Sequence, residues 1–331
     1  MKKQKICIVG DGLTGLTTAL IFSSLNIDVH LVGPKIRKKI SDSRTTAVSA
    51  NNYDFLIKFI GEKNSKYFWP SKRIDLYHEL DSDYRQFMNF EKKGENLMYI
   101  FKNEILKKII KNKLTREKKI KIYTDEIKNI DENKAQIILN KKKIVYDLIL
   151  VCTGQKSKLV KNLVGTRFIN KDINEIAFTS IFSHKLNLPN SRQYFLKEGP
   201  LAILPIGKNQ CSFVWSINKN HNFKNINIEI MKKLKIILKS KKNIKIKNLD
   251  FFPISFKFNI NCIKNNFLVL GEGSYNVHPV AGQGFNLILR DIKGLKEEIE
   301  KNLINGIQLK DSLVLTKYLE KRKPENLFFG L

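Results

Sequence analysis

Three glycines near the amino terminus have the spacing of a phosphate-binding loop. Gly10, Gly12 and Gly15 form the pattern G-x-G-x-x-G between a β-rich apolar run, Lys5 to Gly10, and a run with helical spacing, Gly15 to Asn26. In such a loop the first glycine permits a tight turn, the second lets the backbone approach a pyrophosphate, and the third allows the helix to pack closely on the strand. The N–H groups at the start of the helix would then bind the phosphates of a dinucleotide.

The loop belongs to a βαβ unit, because Ile27 to Gly33 is a second β-rich run. This context favours a dinucleotide site over the alternative, a tight strand-to-helix turn that binds nothing. The residue that closes the second strand of such a unit is usually an acid that binds the ribose, and here it is Gly33. We therefore expect ribose recognition to be weaker or to come from elsewhere in the chain.

A second segment rich in glycine, Gly271 to Ile292, also follows an apolar strand and continues into an amphipathic stretch. Two glycine-rich segments this far apart suit a cofactor that is too long for one loop, and FAD is such a cofactor. The sequence therefore predicts that both segments contact the same bound molecule.

The second segment resembles the motif G-D-A-A-H-x-x-H-P-x-x-G-Q-G-x-N-x-x-x-x-D of the flavin-dependent aromatic hydroxylases, specifically the branch that acts in ubiquinone biosynthesis. The residues in register are Glu272 at the acid, then His278, Pro279, Gly282, Gln283, Gly284, Asn286 and Asp291. Ser41 to Ser49 resembles that branch's D-x-R-x-x-A-L-S, with Asp42 and Arg44 in place. Glu198 to Trp215 resembles its G-P-x-A-x-L-P segment, so the resemblance covers nearly the whole chain.

The resemblance implies roles around the flavin ring. Glu272 would bind a ribityl hydroxyl of FAD, and the backbone amides near Gly284 and Phe285 would face the pyrimidine carbonyl, where a helix start stabilises negative charge on the reduced flavin. Pro279 would line the pocket beside the isoalloxazine. His278 is the second candidate there, either as a hydrogen-bonding group that orients its surroundings or as a proton donor.

Further cofactor-binding residues follow from the same resemblance. Arg44 would carry positive charge toward the pyrophosphate or the adenosine of FAD. The remaining candidates lie in the glycine-rich segments and in a middle motif: Gly10, Gly12, Leu13, Thr14, Gly15, Gly154, Gly271, Gly282, Gln283 and Asn286.

The chain departs from the family pattern at several positions. The middle motif is normally an Asp-Gly pair, and here Thr153 replaces the Asp while Gly154 and Ser157 remain. Tyr275 takes the place of the first His of the second segment. Together with Gly33, these changes bear on FAD affinity and on NAD(P)H handling. The family also continues into more helices, so the chain is expected to be a shortened protein or a truncated reading frame.

The pattern of elements predicts an α/β fold with a split nucleotide-binding domain. We expect a Rossmann-like FAD-binding domain of the p-hydroxybenzoate-hydroxylase type, residues 1–62, 99–165 and 259–331, and an inserted antiparallel β-sheet substrate domain, residues 63–98 and 166–258. Within it, Phe213 and Trp215 are expected to pack inside the sheet, with pocket lining as the alternative. The local predictions are a loop then a helix over Ser41 to Gly61, helices over Asn103 to Leu114 and Ile228 to Lys239, and one strand over Ile144 to Gly154.

The formal charge of +29 is spread along the chain beside abundant Asn and Ile. Such a spread is typical of the codon bias of an AT-rich genome, and a functional basic face is the alternative. We expect no nucleic-acid partner. The four cysteines lie far apart without C-x-x-C spacing, so we expect buried, reduced thiols and no metal site. No apolar run is long enough to span a bilayer, so a cytoplasmic protein with peripheral contact at the inner membrane is expected.

The expected activity is that of an FAD-dependent monooxygenase. In the family, NAD(P)H reduces the flavin, O2 adds at its C4a carbon, and one oxygen atom goes to an electron-rich phenol ring. The implied substrate is a polyprenylated phenol of ubiquinone biosynthesis, held in an apolar channel of the β-rich domain, and other quinone-biosynthesis proteins are expected partners. Two alternatives stay open: a flavoprotein scaffold of weakened activity within a quinone-biosynthesis complex, and a related flavin reductase or halogenase.

Overall fold

The structure is a computed structural model that describes residues 3–33, 44–81, 83–140, 142–154, 157–165, 168–221, 223–240, 244–259, 261–276 and 283–328. Its elements in the first half of the chain are β1 (Lys5–Val9), α1 (Leu13–Phe22), β2 (Asp28–Val32), β3 (Thr45–Ser49), α2 (Ala50–Ile60), β4 (Trp69–Ser71), β5 (Arg73–Leu80), β6 (Asp83–Glu91), β7 (Met98–Lys102), α3 (Asn103–Leu114), β8 (Ile120–Tyr123), β9 (Ile127–Asp131), β10 (Gln136–Leu139), β11 (Lys142–Val145), β12 (Leu148–Val151) and α4 (Lys158–Val164). The second half contains β13 (Phe168–Ser183), β14 (Ser191–Leu196), β15 (Gly199–Gly207), β16 (Gln210–Asn218), α5 (Ile226–Ile237), β17 (Lys245–Ile246), β18 (Asp250–Asn259), β19 (Ile263–Lys264), β20 (Phe267–Val269), β21 (Tyr275–Asn276), α6 (Gln283–Ile304) and α7 (Ser312–Phe328).

A six-stranded sheet forms the nucleotide-binding half, in the order β19-β20-β12-β1-β2-β8. Strands β20, β12, β1, β2 and β8 run parallel, and β19 is antiparallel. Alternate residues of β1 enter two different cores, since side chains along a strand point to opposite faces. Ile6 and Ile8 pack in the core that α1, α3, α6 and α7 share, whereas Cys7 and Val9 pack with Ile137 of the small β9-β10-β11 sheet. Both faces are covered, which is why the strand is apolar at consecutive positions.

A larger sheet forms the β-rich half, in the order β21-β18-β13-β16-β15-β14-β5-β6, with β17 paired to β13. The strands are antiparallel except that β14 and β5 are parallel. Phe213 and Trp215 on β16 are buried under α5, where they pack with Ile230 and Leu234. The prediction that these two aromatic residues pack inside the sheet is confirmed.

The predicted α/β fold with its antiparallel sheet is confirmed, and several local predictions agree with the structure. The βαβ unit is present, α3 has the predicted bounds, and α5 lies within two residues of the predicted helix. Helix α1 begins at Leu13, so Gly15 lies inside the helix rather than at its start. The four cysteines are buried and free. The domain boundaries given above stay a prediction.

Two local predictions are wrong. Thr45–Ser49 is a strand rather than part of a loop, because its β-branched residues pair along their whole length with β7. The stretch from Ile144 to Gly154 is two strands rather than one. The N–H of Tyr146 still donates to the carbonyl oxygen of Ala135, which follows the pairing of β11 with β10, and the chain bends at Asp147. There the carboxylate of Asp147 accepts a hydrogen bond from the backbone N–H of Lys5. The run is apolar on both sides of residues 146 and 147, so its composition gave no signal that two strands are present.

Candidate cofactor-binding site

The first glycine loop lies at the carboxyl edge of the parallel sheet. Gly10 has a φ of +118°, which side chains rarely permit, and a Cβ added to it would lie 2.7 Å from the carbonyl oxygen of Cys152. A Cβ added to Gly15 would lie 1.9 Å from the carbonyl oxygen of Gly10. These two glycines are therefore required by contacts within the protein.

Gly12 differs from its two neighbours in the motif. It is exposed, and a Cβ added to it would meet nothing within 4 Å. It is the N-cap residue of α1, and no side chain caps the helix there. The space next to the Cα of Gly12, at the positive end of the helix, is therefore open among the described residues. Such an open backbone surface fits the pyrophosphate of a dinucleotide cofactor such as FAD.

The second glycine segment meets the first at Thr14 of α1. Gly271 has a φ of +77°, and a Cβ added to it would lie 2.9 Å from Cγ2 of Thr14. Gly271 opens a short 3₁₀ turn that ends at Gly273 and carries Glu272, whose side chain is exposed. The fold therefore brings the two segments together, although more than 250 residues of sequence separate Thr14 from Gly271. Leu13, the other predicted residue of this turn, packs in part on the core of the nucleotide-binding half.

The start of α6 is held in place by Asn286. Its side-chain oxygen accepts hydrogen bonds from the backbone N–H of Ser49 (2.9 Å) and from Nδ2 of Asn52 (2.7 Å), and its Nδ2 donates to the carbonyl oxygen of Ala47 (2.9 Å). These bonds fix α6 against β3 and α2. Asn286 thus acts on the site by positioning the helix start, and its cofactor contact stays a prediction.

The residues that begin α6 differ in their surroundings. Gln283 is exposed and Gly284 is partly exposed. The side chain of Phe285 is 9% exposed, and its ring centroid lies 6.0 Å from that of Phe101. Because the Phe285 side chain points into the core, only the backbone of this residue can face a cofactor.

The middle motif lies beside the first loop. Cγ2 of Thr153 would be 3.3 Å from a Cβ at Gly10. Gly154 follows in open space, where an added Cβ would meet nothing within 4 Å. Ser157 is the N-cap residue of α4. The motif that lacks its usual acid is therefore still in contact with the dinucleotide loop.

Arg44 connects the two halves of the molecule. Its guanidinium carbon lies 5.4 Å from the ring centroid of Phe252 on β18, within reach of a cation–π interaction, and its carbonyl oxygen accepts a hydrogen bond from the N–H of Asn103. Its predicted role at the pyrophosphate or adenosine stays a prediction.

Four predicted residues fall outside the described part of the chain. These are His278, Pro279, Gly282 and Asp42. Their predicted roles beside the flavin and in the Asp-x-Arg motif therefore stay predictions.

A buried ion pair behind the second glycine segment was not predicted. Nε of Arg322 on α7 donates to Asp291 of α6 at 2.9 Å, and the Tyr275 hydroxyl donates to the other carboxylate oxygen. Burial raises the pKa of Tyr275 well above its ordinary value, so this hydroxyl stays a donor. The second glycine motif already singled out Asp291. Its partner Arg322 could have been found from the Tyr-x-x-x-Arg spacing of Tyr318 and Arg322.

The chain is similar over 97% of its length to known monooxygenases. No family model matches the chain. The ubiquinone biosynthesis monooxygenase COQ6 of Dictyostelium discoideum is 23% identical, and the match covers 97% of this chain and 81% of that protein. The 3-demethoxyubiquinol 3-hydroxylase of Escherichia coli (strain K12) is 22% identical, and the match covers 97% of this chain and 86% of that protein.

Solved structures with the same fold include two bacterial proteins. PqsL from Pseudomonas aeruginosa, a probable FAD-dependent monooxygenase, has a TM-score of 0.80 at 17% identity, over 99% of this chain and 94% of PqsL. The p-nitrophenol 4-monooxygenase PnpA from Pseudomonas putida DLL-E4 has a TM-score of 0.81 at 13% identity, over 99% of this chain and 87% of PnpA. The chain therefore has the fold of the FAD-dependent monooxygenases, and its sequence is similar along almost its whole length to monooxygenases of ubiquinone biosynthesis, as its motifs predicted.

Proposed function

We propose that this protein is an FAD-dependent monooxygenase that hydroxylates the aromatic ring of a polyprenylated phenol in ubiquinone biosynthesis. The observation that carries the proposal is the contact between Thr14 and Gly271, which joins the two glycine segments beside the open start of α1. The similarity to ubiquinone biosynthesis enzymes over 97% of the chain supports the substrate class.

The chain's own groups would bind and orient the cofactor. The N–H groups at the start of α1 bind the pyrophosphate, and the backbone at Gly284 and Phe285 faces the pyrimidine, held there by the hydrogen bonds of Asn286. FAD, when bound, supplies the oxygen chemistry, with NAD(P)H as the proposed reductant. The protein contributes placement and exclusion of water, which needs few acid–base groups.

The β-rich half offers a suitable surface for the ring. On β16, Val214 is paired in register with Ala202 of β15 and with Thr179 of β13. These three side chains lie on the face of the sheet opposite to the large residues that pack under α5. This face of the sheet is turned to the nucleotide-binding half, because Oγ1 of Thr45 donates to Oγ of Ser212 at 2.6 Å on the same face. Ala202 and Val214 are partly exposed there and Thr179 is buried, so we propose that the substrate ring lies against Ala202 and Val214.

The Gly12→Val substitution tests the cofactor site. We expect the variant to keep its thermal stability, because its Cβ meets no protein atom within 4 Å and its φ of −69° suits valine. It should lose FAD binding, since the side chain fills the space of the pyrophosphate. Gly15→Val is the matched control, which we expect to unfold because its Cβ would lie 1.9 Å from a carbonyl oxygen. A stable Gly12→Val protein with full flavin occupancy would show that the site is elsewhere.

Genetic rescue tests the substrate. The chain is expressed in bacteria that each lack one ubiquinone hydroxylase, and the quinones are extracted and measured. We expect ubiquinone to return in one strain, which identifies the ring position, and to depend on Gly12. If a flavin-loaded, folded protein rescues no strain, the hydroxylase proposal fails. If wild-type protein takes up no FAD, the scaffold alternative is favoured.

We further propose reversible contact with an acidic membrane, where the polyprenylated substrate resides. No helix in the described residues is both long and apolar enough to cross a bilayer. A cavity of about 660 Å³ between α1, α2 and α3 has five cations and one acid, Glu117, among its lining residues. The cations are Lys58, Lys63, Lys108, Lys113 and Arg116, and the aromatic lining residues are Phe59 and Tyr67. Burial and the nearby Lys63 lower the pKa of Lys113, whose ammonium donates to the carbonyl oxygen of Phe59 at 2.6 Å. Such a surface suits acidic lipid headgroups.

Flotation with liposomes tests this contact. Binding to acidic vesicles should fall at high salt, because each Lys or Arg near an anionic surface contributes roughly 1 kcal/mol. Exchanging Lys108 and Arg116 for Glu should weaken flotation more than the same exchange at Lys142 and Lys143, which are exposed on β11. Equal losses in the two pairs would assign the effect to net charge rather than to this cavity.

A further inference from the structure

Gly33 stands where βαβ dinucleotide sites usually carry the acid that binds the ribose, directly after β2. The residue is buried, and a Cβ added to it would lie 2.7 Å from Cβ of Asp11 and 3.2 Å from its Cγ. No side chain fits at position 33 while Asp11 keeps this conformation. The space next to the end of β2 is therefore occupied by a carboxylate that comes from the first glycine loop.

The backbones that bring Asp11 and Gly33 together are fixed by hydrogen bonds. The N–H of Gly10 donates to the carbonyl oxygen of Val32 at 2.7 Å, and the N–H of Gly33 donates to that of Tyr123 at 3.0 Å. Asp11 directly follows Gly10, whose N–H makes the first of these bonds, and it precedes Gly12, around which the structure is open. Its carboxylate is thus held at the edge of the space that the cofactor would fill.

The Asp11 carboxylate remains accessible to a ligand. Its side chain is 28% exposed, and its ionic partner is Lys111 of α3, at 3.5 Å between Nζ and Oδ2. The Lys111 side chain is 44% exposed, so the pair is loose and contributes little to stability. A carboxylate has two oxygens that accept hydrogen bonds, which matches the two adjacent hydroxyls of a ribose.

We propose that Asp11 binds the adenosine ribose of FAD and thereby replaces the acid that is missing at Gly33. The inference rests on the proposed function, because it requires an adenine dinucleotide at this loop. It accounts for two features at once: an acid inside the glycine loop and a glycine where the acid is usual. Each is explained by the other, since the two side chains would compete for one space.

The experiment compares ligands with and without the ribose. Apoprotein is titrated with FAD and with FMN, which lacks the adenosine, and binding is followed by quenching of flavin fluorescence. Asp11→Asn keeps the shape and removes the charge, so we expect FAD to bind roughly ten- to a hundredfold more weakly while FMN affinity stays the same. ADP should displace FAD from the wild type better than 2′-deoxy-ADP, and this preference should disappear in Asp11→Asn.

An exchange of the two positions provides the matched control. Gly33→Glu alone should weaken FAD binding and lower the thermal stability, because its Cβ meets Asp11. The double variant Asp11→Gly, Gly33→Glu should recover most of both, since the acid then returns to the end of β2 and only the contact of 3.3 Å between its Cβ and the backbone nitrogen of residue 11 remains. Lys111→Met should change FAD affinity by less than about twofold, as expected for a loose ion pair.

Each outcome decides between the inference and the function on which it rests. If the wild type binds FAD and Asp11→Asn binds it equally well, or loses FAD and FMN affinity alike, the role of Asp11 is overturned and the proposed function stands. If the wild type binds neither FAD nor ADP, both fail. Loss of the preference for ADP over 2′-deoxy-ADP in Asp11→Asn alone supports the inference.

Discussion

The nucleotide-binding half and the β-rich half each contain a cluster of paired charged side chains. The two clusters differ in how far water can reach them. In the first, the side chains of Asp291 and Arg322 are 2% and 9% exposed. In the second, Lys233 of α5 pairs with Glu79 at 3.4 Å and with Glu198 at 2.8 Å, and the three side chains are 11% to 19% exposed.

The clusters also differ in how completely their groups are paired. Both carboxylate oxygens of Asp291 accept a hydrogen bond, one from Arg322 and one from Tyr275. Oε2 of Glu198 is buried and has no partner among the described residues. Removing Arg322 would leave the Asp291 charge in a dry place, whereas Glu79 and Glu198 keep 11% and 19% of their side-chain surface exposed to water, although Oε2 of Glu198 itself is buried. We therefore expect the two halves to respond differently to equivalent substitutions.

The largest effect is expected at the first cluster. Arg322→Met should lower the free energy of unfolding by about 3–5 kcal/mol, because Asp291 is left buried without its cation. Urea denaturation measures this loss. Adding Asp291→Asn should return part of the stability, since the uncompensated charge is removed. A loss below about 1 kcal/mol in the single variant would contradict the importance of burial.

The nucleotide-binding half should also be the more sensitive to acid, through His30 on β2. Burial, and then the charges of Lys121 and Lys5, lower the pKa of His30 to about 4, and its Nδ1 lies 3.0 Å from the Tyr146 hydroxyl. Its ordinary pKa is 6.5, so the unfolded chain takes up a proton first as the pH falls. Stability that is complete above pH 6.5 should therefore be lost between about pH 6.5 and pH 4, by on the order of 3 kcal/mol.

Urea denaturation across this pH range checks the prediction for His30. His30→Gln should flatten the loss, whereas His221→Gln, a change at an exposed side chain, should leave the pH profile as it is. An unchanged profile in His30→Gln would mean that other groups cause the acid sensitivity.

A smaller effect is expected at the second cluster. Lys233→Met should cost about 2 kcal/mol, between the values typical of exposed and of fully buried pairs, because water can reach Glu79 and Glu198. The methionine keeps the contact that the lysine stem makes beside Trp215, whose ring centroid lies 5.9 Å from Nζ. The comparison fails if the measured loss equals or exceeds that of Arg322→Met.

The smallest effect on the free energy of unfolding is expected at an exposed ion pair. This pair tests whether the distance between the charges or their burial determines the effect. Lys92 and Glu95 are 2.6 Å apart, closer than the 2.9 Å of Arg322 and Asp291, but their side chains are 64% and 58% exposed. Lys92→Met should change the free energy of unfolding by less than about 0.5 kcal/mol. A loss comparable to that at Lys233 would show that distance matters more than burial.

Local patterns in the sequence were sufficient to predict much of the fold and the first glycine loop of the site. The spacing of Gly10, Gly12 and Gly15 follows from the geometry of one strand, one turn and one helix, all within a few residues. The presence of α3 follows from the 3.6-residue period of its apolar side chains, and the burial of Phe213 and Trp215 on one face follows from strand alternation. Such features depend on neighbouring residues, so a single sequence contains them.

Other features depend on residues that are distant in the chain, and only the tertiary structure decided them. Arg322 on α7 pairs with Asp291 on α6, and the bend between β11 and β12 lies at Asp147, whose carboxylate accepts a hydrogen bond from the N–H of Lys5. The sequence determined that Gly33 lacks an acid, yet only the packing of the first loop against β2 shows that Asp11 fills its place. Contacts of this kind leave no periodic signal, because they arise where separate elements meet and not from the repeat of any one of them.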